Sequence, residues 1–288
     1  MLMGIKSPRE KPMRVADLHM TQEILGYSRF HFITLPQGAD DPALSEALDA
    51  LGRRMENMHI VEGGPATEAF RGGRYQYLRA ERGFSSERDI AHPEMARADV
   101  LIRTECADAD PLDRYEEGLR HEIEKREGSL ETLSGIQKPR SYTSYAMTQF
   151  AYTLALPPAS GAVLPIGVVT PQNKTREWWK MDWMRRESFF LPRYDDEGRI
   201  TARGHALASK EGVPGIYRRL AHHPEGYGLK EGYDFVGYFE FAENDAETFR
   251  AVMAALRDEA DNPEWAYVQE GPEWWGRRVG LARDLWRK

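Results

Sequence analysis

The strongest constraint on how this 288-residue chain can fold is a repeat: the order of strand and helix patterns in its first half returns in its second. Residues 28–35 alternate β-branched and aromatic side chains and end at Pro36-Gln37-Gly38, the pattern of a strand closed by a turn. Asp41 and Pro42 then offer an N-cap and a first-turn proline, and Leu44, Leu48, Leu51 and Met55 fall on one helical face. Strands are expected over 72–80, 99–106 and 130–136, with a polar surface loop over 81–94. Asp110-Pro111 should cap a helix with Leu112, Tyr115, Leu119 and Ile123 on one side, so this half reads βαββαβ. Downstream, 164–169, 215–220, 234–241 and 265–269 read as strands. Asn244 with Glu247 makes a capping box for a helix carrying Phe249, Val252, Met253 and Leu256. Setting Asp99 against Asp234 offsets the halves by 135 residues, the mark of a divergent internal duplication. Two such halves, 25–136 and 137–288, imply ferredoxin-like units that pack their sheets face to face as an α+β barrel. Residues 1–24, with Pro8, Pro12 and no periodicity, read as an arm.

Bulk properties remove several function classes. With 41% hydrophobic and 30% charged residues the chain can bury a full core. A net charge of −7 and no basic stripe argue against nucleic-acid or anionic-lipid binding. Cys106 stands alone, so folding needs no disulfide and no oxidising compartment. No apolar run of signal-peptide or transmembrane type is present, and a cytoplasmic protein is expected. The 7 Trp and 13 Tyr suit a core, an interface or the walls of a flat apolar cofactor site, core being the commonest use.

The residues that lack a cheap structural reason cluster between 138 and 262. Lys174 precedes Trp178-Trp179, so its stem can cover a flat ring while its ammonium meets a carboxylate. His205 lies thirteen positions before Arg218; His121, His222 and His223 sit in settings where helix-surface or loop exposure explains them. Arg218 and Arg219 alternate on one strand, so one should enter the barrel and the other meet solvent. A guanidinium kept inside needs an anion.

Taken together these motifs resemble the catalytic half of the chlorite dismutase family, over about half the chain. Lys138-Pro139-Arg140-Ser141-Tyr142-Thr143 is similar to a family segment whose tyrosine and following residue contact haem propionates. Lys174, Trp178 and Trp179 match the family's propionate lysine and tryptophan pair, His205 its proximal iron ligand and Arg218 its distal arginine. Gly237 and Phe239 fall near the distal face, where Gly237 replaces a threonine and would enlarge or wet the pocket. Asp261, with Glu259 as local alternative, falls on the carboxylate that accepts from the proximal histidine. The resemblance implies a dimeric α/β-barrel-type fold and a homo-oligomer. It also implies haem b as cofactor and oxidoreductase chemistry on chlorite or a peroxide. Two alternatives stay open. One is a coproporphyrin-haem decarboxylase, against which Thr170 stands where that branch places a radical-forming tyrosine; the other is a haem carrier or sensor without fast turnover. A further departure is an insertion of about a dozen residues between Met181 and His205.

Overall fold

The computed structural model describes residues 26–56, 74–86, 92–138 and 164–287. The arm over 1–24 lies outside them. The first half comprises β1 (Gly26–Thr34), α1 (Pro42–Glu56), β2 (Arg74–Ala80), α2 (Pro93–Arg97), β3 (Val100–Cys106), α3 (Asp110–Glu124) and β4 (Ser129–Gln137). After it come β5 (Ile166–Lys174), α4 (Arg176–Lys180), α5 (Trp183–Ser188), β6 (Arg193–Tyr194), β7 (Ile200–Ala202) and α6 (Gly204–Ala208). The chain closes with β8 (Ile216–His222), β9 (Phe235–Phe241), α7 (Ala246–Arg257), β10 (Val268–Glu270) and β11 (Trp274–Val279).

One sheet runs β10-β5-β11-β2-β3-β1-β4-β8-β9, and β5 also pairs with β9, which closes it into a barrel. Within the first half the neighbours run β4-β1-β3-β2, and within the second β11-β5-β9-β8, the same order of first, second, third and last strand. β9 covers one edge of β5, while β10 and β11 share the other, at Lys174↔Val268 and Val169↔Trp274. The β4–β8 seam is narrow, a single pairing of Ile136 with His222.

Strand alternation sorts the side chains. Phe30, Phe32, Leu101, Val236, Tyr238 and Trp274 fill the barrel interior. On the outer face, Ile33, Val100 and Ile102 meet Leu44, Leu48 and Leu51 of α1 and Tyr115, Leu119 and Ile123 of α3. These are the helical positions expected from the 3.6-residue spacing. In the second half Val168, Phe241 and Trp275 meet Phe249, Met253 and Leu256 of α7.

Several local expectations need correction. α3 starts with Asp110 already helical; Ala109 takes the cap position and supplies no side-chain bond. α7 follows a 3-10 turn (Glu243–Asp245) without a capping box, and Glu247 pairs with Arg250 instead. The expected strand over 265–269 is mostly a 3-10 helix (Pro263–Tyr267), because Pro263 presets its first turn and only Val268 onward joins β5. The loop after β2 is not wholly irregular: Ser86 bridges to Glu273 and α2 begins at Pro93. Most consequentially, β11 has no counterpart in the sequence reading. The insertion before His205 forms the β6–β7 hairpin, whose turn is tied by Asp195 accepting from the backbone N–H groups of Glu197 and Arg199.

Candidate functional site

A cavity lies between the outer face of the second-half strands and the layer formed by α6 and α7. β5 supplies Thr170, Gln172 and Lys174, β8 supplies Ile216, Arg218 and Leu220, and β9 supplies Phe235 and Phe239. Across from them stand His205, Ser209, Val252, Met253, Leu256 and Glu264. The walls are mostly apolar, so the charged groups that enter are the informative ones.

His205 is positioned by backbone contacts around a glycine. Gly204 has φ +64°, and an added Cβ would come within 2.5 Å of the Leu191 carbonyl, so only glycine makes this entry into α6. Gly204 N–H donates to the Asp261 carbonyl (2.9 Å), and His205 N–H to that of Phe189 (3.3 Å). The imidazole is buried, and its Nδ1 lies 2.7 Å from Glu264 Oε2. The other carboxylate oxygen of Glu264 pairs with the ammonium of Lys174. Lys174 is buried as well, at the last position of β5, and Thr175 caps the next turn so that Trp178 comes back beneath it; the ammonium sits 4.4 Å over the indole. Burial opposes ionisation of Glu264, but Lys174 and His205 outweigh it and hold the carboxyl well below the ordinary carboxylate range. The result is a line of imidazole, carboxylate and ammonium in which the carboxylate fixes Nδ1 as the donor nitrogen and leaves Nε2 as the nitrogen for other chemistry.

Asp261 is not the partner of His205. Its carboxylate accepts from the backbone N–H of Arg203 (2.8 Å) and from the Arg203 guanidinium, tying down the residue before α6. The partner is Glu264, three residues on, which sequence reasoning does not single out. Its only sequence signal is Pro263, which starts a 3-10 turn and swings the next side chain inward. The place beside Nδ1 for which Asp261 and Glu259 were the candidates is held by Glu264.

A second unforeseen residue organises the site's floor. Asp234 is buried and accepts from Lys174 N–H (2.8 Å), Trp179 Nε1 (3.0 Å) and Gly228 N–H (2.5 Å), joining β5, α4 and the loop before β9. Trp179, held this way, stacks on Tyr227 at 4.7 Å. Trp178 packs against Phe189, Phe190 and Tyr267 behind the lysine.

Arg218 lies on the outer face of β8, under the helical layer, and Arg219 on the face that turns into the barrel; neither strand face is simply solvent. Phe239 lines the cavity and meets Phe249 edge-on at 5.1 Å. Gly237 does not enlarge the pocket. An added Cβ there would come within 2.7 Å of Thr170 Oγ1, so the glycine lets β5 and β9 approach and the space is already taken. That hydroxyl of Thr170 is itself buried with no hydrogen-bond partner among the described residues. His222 is not a loop residue: it ends β8, fully buried against the rings of Tyr227 and Phe235. Tyr142 and Thr143 lie outside the described residues.

A structure of chlorite dismutase from Candidatus Nitrospira defluvii, in complex with imidazole, matches this chain with a TM-score of 0.64 at 18% identity, over 91% of this chain and 94% of that one. The chain has the chlorite dismutase fold. A tryptophan variant of the same protein, in complex with cyanide, gives 0.63 at 17% over the same shares. A protein described provisionally as a chlorite dismutase gives 0.58 at 18%, over 90% and 96%. No family model and no curated protein matches the sequence. Among the described residues no helix of this chlorite dismutase fold is long and apolar enough to cross a membrane, and no cluster of three or more His, Cys, Asp or Glu side chains could hold a bare metal ion.

Proposed function

We propose that the chain is a haem-binding oxidoreductase of the chlorite dismutase kind, acting on a small oxidant, either chlorite or a peroxide. The observation that carries this reading is the buried imidazole whose Nδ1 is held by a carboxylate that is itself neutralised by a lysine, at the edge of an apolar cavity that also holds an arginine. An imidazole that would hold haem iron needs one neutral ring nitrogen and a fixed ring; a buried carboxylate on the far nitrogen would supply both. The donor set therefore fits haem b through His205 Nε2, and the orphaned Thr170 hydroxyl marks a polar demand inside the same walls.

When bound, haem supplies redox-active iron, the group that chlorite or peroxide chemistry requires. The chain's own residues do the rest. Glu264 holds the Nδ1 proton and makes the imidazole a stronger donor. Lys174 keeps Glu264 ionised; this replaces the propionate contact implied by the family resemblance, because its ammonium is already committed. Arg218 keeps its charge at any working pH, attracts an anionic oxidant and retains a charged leaving group, which chlorite conversion to chloride and O₂ needs. Ile216, Phe239, Met253 and Leu256 exclude water, and so strengthen each of these charges. The free space between the walls is about 100 Å³, so haem entry should part α6 and α7 from the strands. We read the repeated strand order as two ferredoxin-like halves, divided near residue 137, and the assembly as a homo-oligomer. The decarboxylase alternative gains no support: Thr170 faces the cavity at the position in question.

The test is reconstitution with haem followed by chlorite addition beside an oxygen electrode. His205→Ala should abolish the ferric-imidazole spectrum. Arg218→Gln should keep that spectrum while lowering anion affinity, and turnover should fall by a factor on the order of ten to a thousand. Haem binding that is unchanged in His205→Ala would sink the assignment. Haem binding without turnover in either protein would favour a carrier.

A further inference from the structure

α6 is five residues long, too short to be stable on its own, and it carries His205 in its first turn. The N–H groups that open a helix have no partner inside it and must be met from elsewhere. A serine, threonine, asparagine or aspartate at the N-cap usually meets one of them; here the N-cap is Arg203, whose side chain makes no cap bond. Acceptors from two distant segments stand in. Arg203 N–H donates to Asp261 Oδ1 (2.8 Å) and Gly204 N–H to the Asp261 carbonyl (2.9 Å). The next two, His205 N–H and Ala206 N–H, donate to the carbonyls of Phe189 (3.3 Å) and Phe190 (3.1 Å).

The Asp261 side of this grip is itself fixed to the end of α7. Asp261 N–H and Asn262 N–H both donate to the Asp258 carbonyl, at 3.1 and 2.6 Å. Asn262 is wholly buried and donates its side-chain amide to the Leu256 carbonyl (2.8 Å). Pro263 then starts the 3-10 turn that delivers Glu264 to His205 Nδ1. One short segment, 258–264, therefore holds the histidine twice, Asp261 by the backbone that enters α6 and Glu264 by the ring. A shift of α6 against this segment would lengthen the 2.7 Å contact at Nδ1.

We infer that Asp261 is a positioning residue for His205: it caps α6 from 58 positions along the chain and so sets the imidazole against Glu264. Its acceptor oxygens carry this role rather than its charge. The ion pair with the Arg203 guanidinium is partly exposed on both sides, and such a pair contributes little by itself. The N–H of Arg203 needs an oxygen whatever the charge. The consequence for iron binding rests on the haem function proposed above; the placement of the ring does not.

Two measurements on the full chain separate these. In the haem-free protein the His205 Nδ1 proton, identified by its loss in His205→Ala, is followed by NMR for its exchange with water, and haem affinity is then read by titration. Asp261→Ala should speed that exchange by about fivefold to tenfold, the effect of losing one helix cap, and weaken haem binding by a similar factor. Asp261→Asn keeps an oxygen for the Arg203 N–H and should bring both values to within about twofold of wild type. Arg203→Ala removes only the ion pair and should behave like Asp261→Asn. The ring proton of His31, in the other helical layer, should keep its wild-type exchange in every variant, which a general loss of stability would not allow. Unchanged exchange at His205 in Asp261→Ala, equal acceleration at His205 and His31, or losses in Asp261→Asn or Arg203→Ala as large as in Asp261→Ala would overturn the assignment. Faster exchange in Asp261→Ala, in a chain that takes up no haem, would uphold the role of Asp261 and remove the haem function instead.

Discussion

The two helical layers on the outside of the barrel occupy corresponding places and are built on opposite terms. Under α1 and α3 the space is filled, mostly by hydrocarbon: Ile33, Leu44, Leu48, Val100, Leu119 and Ile123 are all wholly buried. Under α6 and α7 the apolar wall is interrupted by Lys174, His205, Arg218 and Glu264 around a cavity. Each layer also buries a histidine, and their partners differ. His31 on β1 is held by two hydroxyls, Thr132 Oγ1 at 3.0 Å and Thr104 Oγ1 at 3.2 Å. His205 is held by the Glu264 carboxylate. A hydroxyl satisfies a neutral ring and offers nothing to a cation; an ionised carboxylate makes the ring a better donor to whatever its other nitrogen binds. Under the proposed function, the same residue type is therefore packing in one layer and chemistry in the other. The neighbour decides, not the burial.

The largest effect that tests this contrast is acid sensitivity arising in the solid layer. Burial first, then the charges of Arg29 and Arg120, lower the His31 pKa to about 3 from its ordinary 6.5. Below pH 6.5 the unfolded chain takes up a proton that the folded ring refuses, so stability falls as pH drops toward 3 and is fully present above 6.5. The whole loss is roughly 4–5 kcal/mol. Urea midpoints at pH 7 and pH 4 should draw together in His31→Asn; if wild type and variant lose stability in parallel, His31 is not the sensor.

Next in size is the charged line in the open layer. Lys174→Met leaves the Glu264 carboxylate buried with only an imidazole beside it, which should cost about 3–5 kcal/mol in urea unfolding. Adding Glu264→Leu removes the stranded charge and should restore part of that loss. Equal losses in the single and double variants would mean that the ammonium and carboxylate do not depend on one another.

The smallest effect compares packing directly. Leu48→Ala in the solid layer should cost about 2–5 kcal/mol, toward the upper end because it opens a new void among wholly buried neighbours. Leu256→Ala, beside an existing cavity, makes the same chemical change and should fall toward the lower end of about 2–5 kcal/mol. If Leu256→Ala costs as much as Leu48→Ala, the wall of the His205 cavity is as tightly packed as the core.

The sequence by itself determined what depends on short-range spacing. The apolar faces of α1, α3 and α7 follow from residues three and four apart, and β1, β3, β4 and β9 from alternation, because a helix or half-buried strand must bury one face wherever it sits. The 135-residue offset matches β3 with β9, which hold the same place in the strand order of their parts of the sheet, and Lys174, His205 and Arg218, grouped by the family resemblance, line one cavity. What the tertiary structure alone decided was which long-range partner each charge meets. β11 was illegible because Arg277 and Arg278 make it look like surface, until Glu81, Glu243 and Glu240 arrive from distant elements to neutralise them. For the same reason Asp261, the nearer candidate in the chain, went to Arg203, while Glu264 reached His205 and Lys174. A one-residue change in where a 3-10 turn begins re-aims a carboxylate completely, and that turn is set by how α7 and β10 dock against β5, which no local pattern records.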